Sequence, residues 1–464
     1  MSETYSSATP EIERPQSIEE LFDALLELEP KPVANFVPAN TDEQRELFMS
    51  NEVRNPNNEY AKLAEIDFDV RRTEIKEIET KILGHEDLNP KYVEVYEQFV
   101  QAFLEKTDFM DLVNQFNHAE DADVKDTLLA DMMKKNVEIY GEPDEATYRS
   151  LLAEKIAKIS AKELSESGVA MRDELFELLG THDVTESSRF RPSEETVAWM
   201  HEVAESLYGG MLSHIPEGDT FQDEKIKSTF EAIITEEFGD SAKDWVVAIE
   251  DATAINVKPA EKRIVVPKGR EVSADSLRKL IGHEVGIHFL RYVMGAQTDL
   301  PPFKRGLSDY YDTEEGLGSV MEQSLNGEYK EAGADHYITA GLAYHDKLDF
   351  RAVFEAKWRL SVLNTTKGDP SEAAIEKAKT AAYKSTMRSF RGTDAMPWFK
   401  DLSYYNGAAE IWKHLEDIRG DDLEFMLVLL GKGNPSNPSH RRIMLETASP
   451  SSDDDPTEEA AAKV

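Results

Sequence analysis

The stretch Leu280-Ile-Gly-His-Glu-Val-Gly-Ile-His-Phe-Leu290 puts two imidazoles and a carboxylate, His283, His288 and Glu284, on one short apolar segment. Imidazole nitrogen is a good ligand for Zn²⁺. A carboxylate beside a metal-activated water takes its proton and makes a nucleophile near neutral pH. The spacing is that of the zincin motif H-E-x-x-H with one residue added. At about 100° per residue, positions i and i+4 lie about 40° apart around a helix and face one metal, whereas i and i+5 lie about 140° apart. For His283 and His288 to share an ion, the helix must absorb a residue, as a π-bulge does. Gly286, between the histidines, tolerates such a distortion. A distorted helix is therefore expected. The competing reading is a chance match, since a lone histidine on an apolar helix is ordinarily a core residue.

A catalytic zinc needs three protein ligands and an open position. Beyond Pro301-Pro302 lies Tyr311-Asp-Thr-Glu-Glu-Gly-Leu-Gly-Ser-Val-Met-Glu322. Asp312 or Thr313 is expected to cap a helix there, with Glu314 and Glu315 in its first turn. A glutamate so placed is the usual third ligand of a His₂Glu site, although acidic residues favour a helix N-terminus without any metal. Glu322, Asp335 and His336 are candidates for the acceptor that a ligand histidine needs for its other N–H.

Upstream, Trp245-Val-Val-Ala-Ile249 and Lys262-Arg-Ile-Val-Val266 flank a turn at Lys258-Pro259. They predict a small sheet just before the metal helix, with an edge suited to holding a substrate backbone by strand addition. From Asn256 to Arg305 there are ten Lys/Arg and five Asp/Glu, a local +5 in a chain whose formal net charge is −39. Such a stretch would draw an anionic substrate end, unless its cations merely snorkel from helices.

His-Glu-Val-Gly-Ile-His followed by Glu-Glu-Gly-Leu-Gly resembles the family known by its QEGLA motif, the tyrosine/phenylalanine carboxypeptidase domain that includes the microtubule-associated tyrosine carboxypeptidases. The resemblance implies zinc on His283, His288 and Glu315, with Glu284 as the base. The chain departs from the pattern at Glu314 (usually Gln), Gly318 (usually Ala) and Ile287 (often Thr). Pro38, Asn40, Phe48 and Asn55-Pro56 are similar to the family as well. So are two later signatures, R-x-x-R-G at Arg388, Arg391 and Gly392, and K-D-x-x-Y-x-x-G at Lys400, Asp401, Tyr404 and Gly407. A carboxypeptidase must recognise a free carboxylate, which arginine does with two parallel hydrogen bonds. Arg388 and Arg391 are expected in that role, and Tyr404 or Lys400 at the oxyanion.

The length, 464 residues with 40% hydrophobic content, allows a large core and two or three domains. The acidic balance argues against nucleic acid and anionic membrane as partners. The absence of cysteine excludes disulfides and thiolate chemistry. Met1-Ser-Glu-Thr-Tyr-Ser-Ser lacks the features of a secretory signal, and no run reaches the roughly 18 apolar residues of a membrane span. A cytoplasmic protein without membrane insertion is expected. The chain divides into a disordered lead (1–16), a helical N-terminal region (17–188), a catalytic region (189–446) and a disordered acidic tail (447–464). Capping boxes are expected at Ser17/Glu20 and Thr41/Gln44. The helix opened by Ser193 is expected to break at Gly209-Gly210.

These readings converge on a predominantly helical α+β fold, zincin-like, with a small β-sheet next to the metal-binding helix. The expected function is a metallocarboxypeptidase with one Zn²⁺ that removes a C-terminal Tyr or Phe from a peptide or protein. Rival readings are another zinc-dependent amide hydrolase (aminopeptidase, endopeptidase or non-peptide) and a catalytically silent zinc-binding scaffold.

Overall fold

The computed structural model describes residues 16–180, 189–308, 310–366 and 368–448. The expected lead and tail lie outside the described residues, except that residue 16 is described and the helix Pro438–Ala448 extends ordered chain two residues past the expected start of the tail. The fold is predominantly helical, with two small sheets among the described residues.

The three-stranded sheet has Arg263–Pro267 at its centre. Val246–Glu250 pairs with it in parallel and Asn256–Lys258 antiparallel, so both outer strands are edges. The two β-rich runs expected from sequence are the parallel pair. The middle piece, Asn256–Lys258, is three residues long, too short to show a period. A second pair, Thr220–Gln222 with Glu271–Ser273, is equally short. Arg263–Pro267 is almost wholly buried, as the apolar run Ile264-Val-Val266 requires.

The sheet, the helix Glu194–Ser213 and the metal-motif helix share one core built on Tyr208, Ile226, Phe230, Ile264, Val285, Phe289 and Trp412. The helix Glu194–Ser213 runs straight through Gly209-Gly210. A glycine inside a helix costs only about 1 kcal/mol relative to alanine, and here the buried side chains Tyr208 and Met211 flank the pair. The N-terminal region does not have a core to itself. Phe22, Tyr96 and Phe99 pack with Phe303 and Met444, Phe36 and Phe109 with Trp398, and Phe48 with Phe350 and Tyr383.

Local capping signals had mixed outcomes. Ser17 and Glu20 form their capping box. Thr41 does not cap: it is the first helical residue, and its hydroxyl donates to the Pro38 carbonyl. Gln44 instead accepts from the Asn57 backbone, and Asn40 bonds Asn57 and Glu59, so a contact to a later turn displaces the local one. Likewise neither Asp312 nor Thr313 caps its helix, which begins at Tyr311 and has no side-chain cap.

Candidate metal centre

The segment Ile281–Phe289 is a π-helix, set between the α-helices Ala274–Leu280 and Leu290–Ala296. The extra residue between His283 and His288 is absorbed in this way, and the two rings come to 4.8 Å between centroids. A buried contact meets the distorted helix at Gly286. The fully buried Tyr208 lies against the helix at this point, and its hydroxyl donates to the Gly286 carbonyl at 3.0 Å. A Cβ on Gly286 would stand 2.7 Å from the Tyr208 ring, so the glycine is needed for this approach.

The helix Tyr311–Leu325 lies across the π-helix and supplies Glu315. One ligand atom each from His283, His288 and Glu315 can be chosen so that all three lie within 4.8 Å of one another. Each histidine has its Nδ1 on a carboxylate: His283 on Glu322 at 2.6 Å, and His288 on Glu314 at 3.0 Å. Both Nε2 atoms remain for an ion, and the ring orientations are fixed. Asp335 and His336 do not take this role. Asp335 pairs with Lys155, and His336 lies beside Asp401.

The field at the cluster favours a cation. Burial alone would lower the His283 pKa, but the hydrogen bond to Glu322 and the charges of Glu284, Glu322 and Glu315 outweigh it and hold the imidazole up to about 9. Carboxylates that raise a proton's affinity this far also favour a divalent ion in the proton's place. Donor set, ring orientation and field therefore fit Zn²⁺. Glu284 is buried beside the two histidines; burial pushes its carboxyl up, and His283 and His288 pull it back.

Glu314 is the buried centre of a second group. Burial would raise its pKa, yet Lys432, Arg291 and His288 hold it well below the usual carboxylate range. The resemblance gives the ligand role to Glu315 and not to Glu314, and no pattern in the sequence points to the partners of Glu314. Arg291 was visible only as part of the +5 stretch. That stretch is no free basic field, because acids from elsewhere neutralise it. Arg278 pairs with Glu205, Lys262 with Asp244, Lys304 with Glu19 and Arg305 with Glu29.

The helix Ser403–Asp417 packs closely along Tyr311–Leu325, with Gly316 against Gly407. A Cβ on either glycine would overlap the opposing backbone, so both must be Gly. Gly318 faces the His283 ring, which a Cβ there would approach to 2.6 Å. The close crossing brings the later signatures to the site. Lys400 donates to the Tyr311 hydroxyl at 2.7 Å, and Tyr311 also interacts with Glu315 and Tyr404. Burial pushes both phenols up, with Glu315 adding to the effect, so they stay protonated as donors. Burial lowers Lys400 while Asp401 and Glu315 raise it. Tyr311 was not singled out from sequence. It lies one turn before Glu315, a spacing that puts the two on one helix face.

The two arginines divide. Arg388 gives Nε and one Nη to Asp401 at 2.5 and 2.8 Å, and the same Nη to the Tyr404 hydroxyl at 3.0 Å. Arg388 is thus already occupied by a carboxylate. Arg391 makes no hydrogen bond or ion pair among the described residues, and burial and Arg388 both disfavour its charge. It is a partly buried cation, with Asp401 and the Tyr60 and Tyr404 phenols only partly offsetting those effects.

No family model, curated protein or solved structure matches this chain. The resemblance rests on the motif residues themselves. Among the described residues no helix is long and apolar enough to cross a membrane.

Proposed function

We propose that this protein is a zinc metallocarboxypeptidase of zincin-like design that removes an aromatic C-terminal residue. The observation that carries the reading is the convergence of His283, His288 and Glu315, from two helices, beside the buried Glu284. An ion on those three residues would supply Lewis acidity to a peptide carbonyl and to water. Glu284 accepts the proton of the attacking water and returns it to the leaving amine. Tyr404 and Tyr311, protonated and adjacent to Glu315, donate hydrogen bonds to the developing oxyanion. Lys400 fixes Tyr311, and Arg388, braced on Asp401, fixes Tyr404. Arg391 takes the substrate's free carboxylate, the role that sequence reasoning gave to both arginines. Asn256–Lys258, an edge strand beside the π-helix, offers backbone groups to the peptide. The resemblance to the tyrosine/phenylalanine carboxypeptidase domain supports the aromatic preference.

The test is mass spectrometry of peptides ending in Tyr, Phe, Glu or Lys, with and without a chelator. Chelator-sensitive loss of one terminal Tyr or Phe is expected, with Arg391→Gln raising KM more than it lowers kcat. Cleavage within the peptide or at its N-terminus would refute the carboxypeptidase reading. No cleavage by zinc-loaded protein would refute peptidase activity.

A further inference from the structure

We propose that Glu314 is the positioning residue for the His288 side of the metal centre, and that the C-terminal segment, through Lys432, helps set the charge on which that role depends. The inference rests on the metal reading above. One oxygen of Glu314, Oε1, meets both His288 Nδ1 at 3.0 Å and Lys432 Nζ at 2.8 Å. The other, Oε2, takes an Nη of Arg291. The Glu314, Lys432 and Arg291 side chains are 4%, 6% and 0% exposed, so none can exchange its partner for water.

The remaining donors of Arg291 go to the C-terminal segment. Nε bonds the Val428 carbonyl at 2.9 Å, and the second Nη bonds the Gly433 carbonyl at 2.6 Å. That segment is pinned in turn, since Lys432 N–H donates to the Phe303 carbonyl and Leu307 N–H to the Lys432 carbonyl. The orientation of the His288 ring therefore depends on chain that comes about 140 residues later. A carboxylate suits the position where an amide does not. Glutamine has one acceptor oxygen; if that faces His288, its NH₂ faces Arg291, a donor against a donor. With His288 neutral, the buried group carries a net +1, two cations against one carboxylate. Glu314→Gln makes it +2, and adding Lys432→Met returns it to +1.

The experiment uses the full chain, stripped of metal and titrated with Zn²⁺ against a chromophoric chelator. The visible spectrum of the Co²⁺-loaded protein reports ligand geometry. E314Q is expected to lose about 10- to 100-fold in zinc affinity and to shift the Co²⁺ bands, which mere loss of stability would not do. E314Q/K432M is expected to bind zinc more tightly than E314Q but still about threefold or more below the wild type, because the charge is restored while the amide still sets a donor against Arg291. Should E314Q not fold, a double variant that folds and binds zinc more weakly than the wild type, with shifted Co²⁺ bands, still supports the proposal, and one that binds zinc like the wild type or fails to fold overturns it. Wild-type affinity in a folded E314Q, or a double variant no better than the single, overturns it while leaving the metal reading intact. A wild-type protein that takes up no zinc overturns both.

Discussion

Tyr208→Phe tests how the π-helix is held. The substitution removes one hydroxyl from a residue that is fully buried and keeps the ring packed against Gly286. The lost bond is 3.0 Å long, to a carbonyl in the middle of the π-helix. Losing a buried hydrogen bond and leaving its acceptor dry costs about 1–3 kcal/mol. For a chain of 464 residues, unfolding entropy at about 2.1 cal/mol/K per residue makes each kcal/mol worth only about 1 °C, so Tm should fall by about 1–3 °C. Zinc affinity is the sharper reading. The π-helix is what brings His283 and His288 together; in an unbroken α-helix they would lie about 140° apart. If the whole cost falls on that local geometry, apparent zinc affinity drops about 5- to 140-fold. The assay is chelator competition on folded protein, with a thermal melt of the metal-free form alongside. A variant that melts lower but binds zinc as the wild type does would refute the argument, because the bond would then stabilise the fold without holding the ligand spacing.

Two further outcomes follow from buried polar groups away from the ion. His440 is 1% exposed, accepts from Asn434 N–H and is pushed down from 6.5 to about 4 by burial, with Arg291 adding to it. Between those values the unfolded imidazole is protonated and the folded one is not, so stability falls as pH drops from 6.5 to 4, by about 3 kcal/mol from this group. His440→Asn keeps an acceptor without the titration, and urea denaturation at both pH values should show a smaller drop; equal drops would contradict the assignment. Asn136 is completely buried, donating to the Pro397 carbonyl at 2.9 Å and accepting from Phe399 N–H at 3.0 Å. Asn136→Ala strands both backbone groups and should cost about 2–5 kcal/mol, read as a Tm lowered by about 2–5 °C. Because Phe399 precedes Lys400, the same variant should also weaken peptide hydrolysis, and a full-strength enzyme would argue against Lys400 as a site residue.

What could be read in the sequence was whatever depends on residues close together in it. The count of five between His283 and His288 demanded a distorted helix, and the helix is a π-helix. The short apolar runs before it are strands, whereas the acceptor for His283, 39 residues away, stayed open among Glu322, Asp335 and His336 until the fold chose Glu322. The failures came where a distant partner outweighed a local signal. Thr41 lost its capping role because residues near Asn57 reach Asn40 and Gln44. Gly209-Gly210 stayed helical because tertiary packing is worth more than propensity.

The arginine pair and the acidic pair show why such partners escape a motif. Arg388 and Arg391 are three residues apart and chemically identical, and nothing local says that one would be neutralised. Asp401, on the following short helix, takes the Nε edge of the Arg388 fork in two hydrogen bonds and makes none to Arg391. Glu314 and Glu315 are adjacent, and helix geometry turns them about 100° apart. One therefore reaches the candidate ion cluster, while the other turns into a core where Arg291 and Lys432 wait. The resemblance implies Glu315 as the ligand, but it says nothing of what Glu314 meets. The separation is made by which buried cations the rest of the chain delivers: Arg291 from the helix Leu290–Ala296 and Lys432 from the loop between Asp422–Leu429 and Pro438–Ala448.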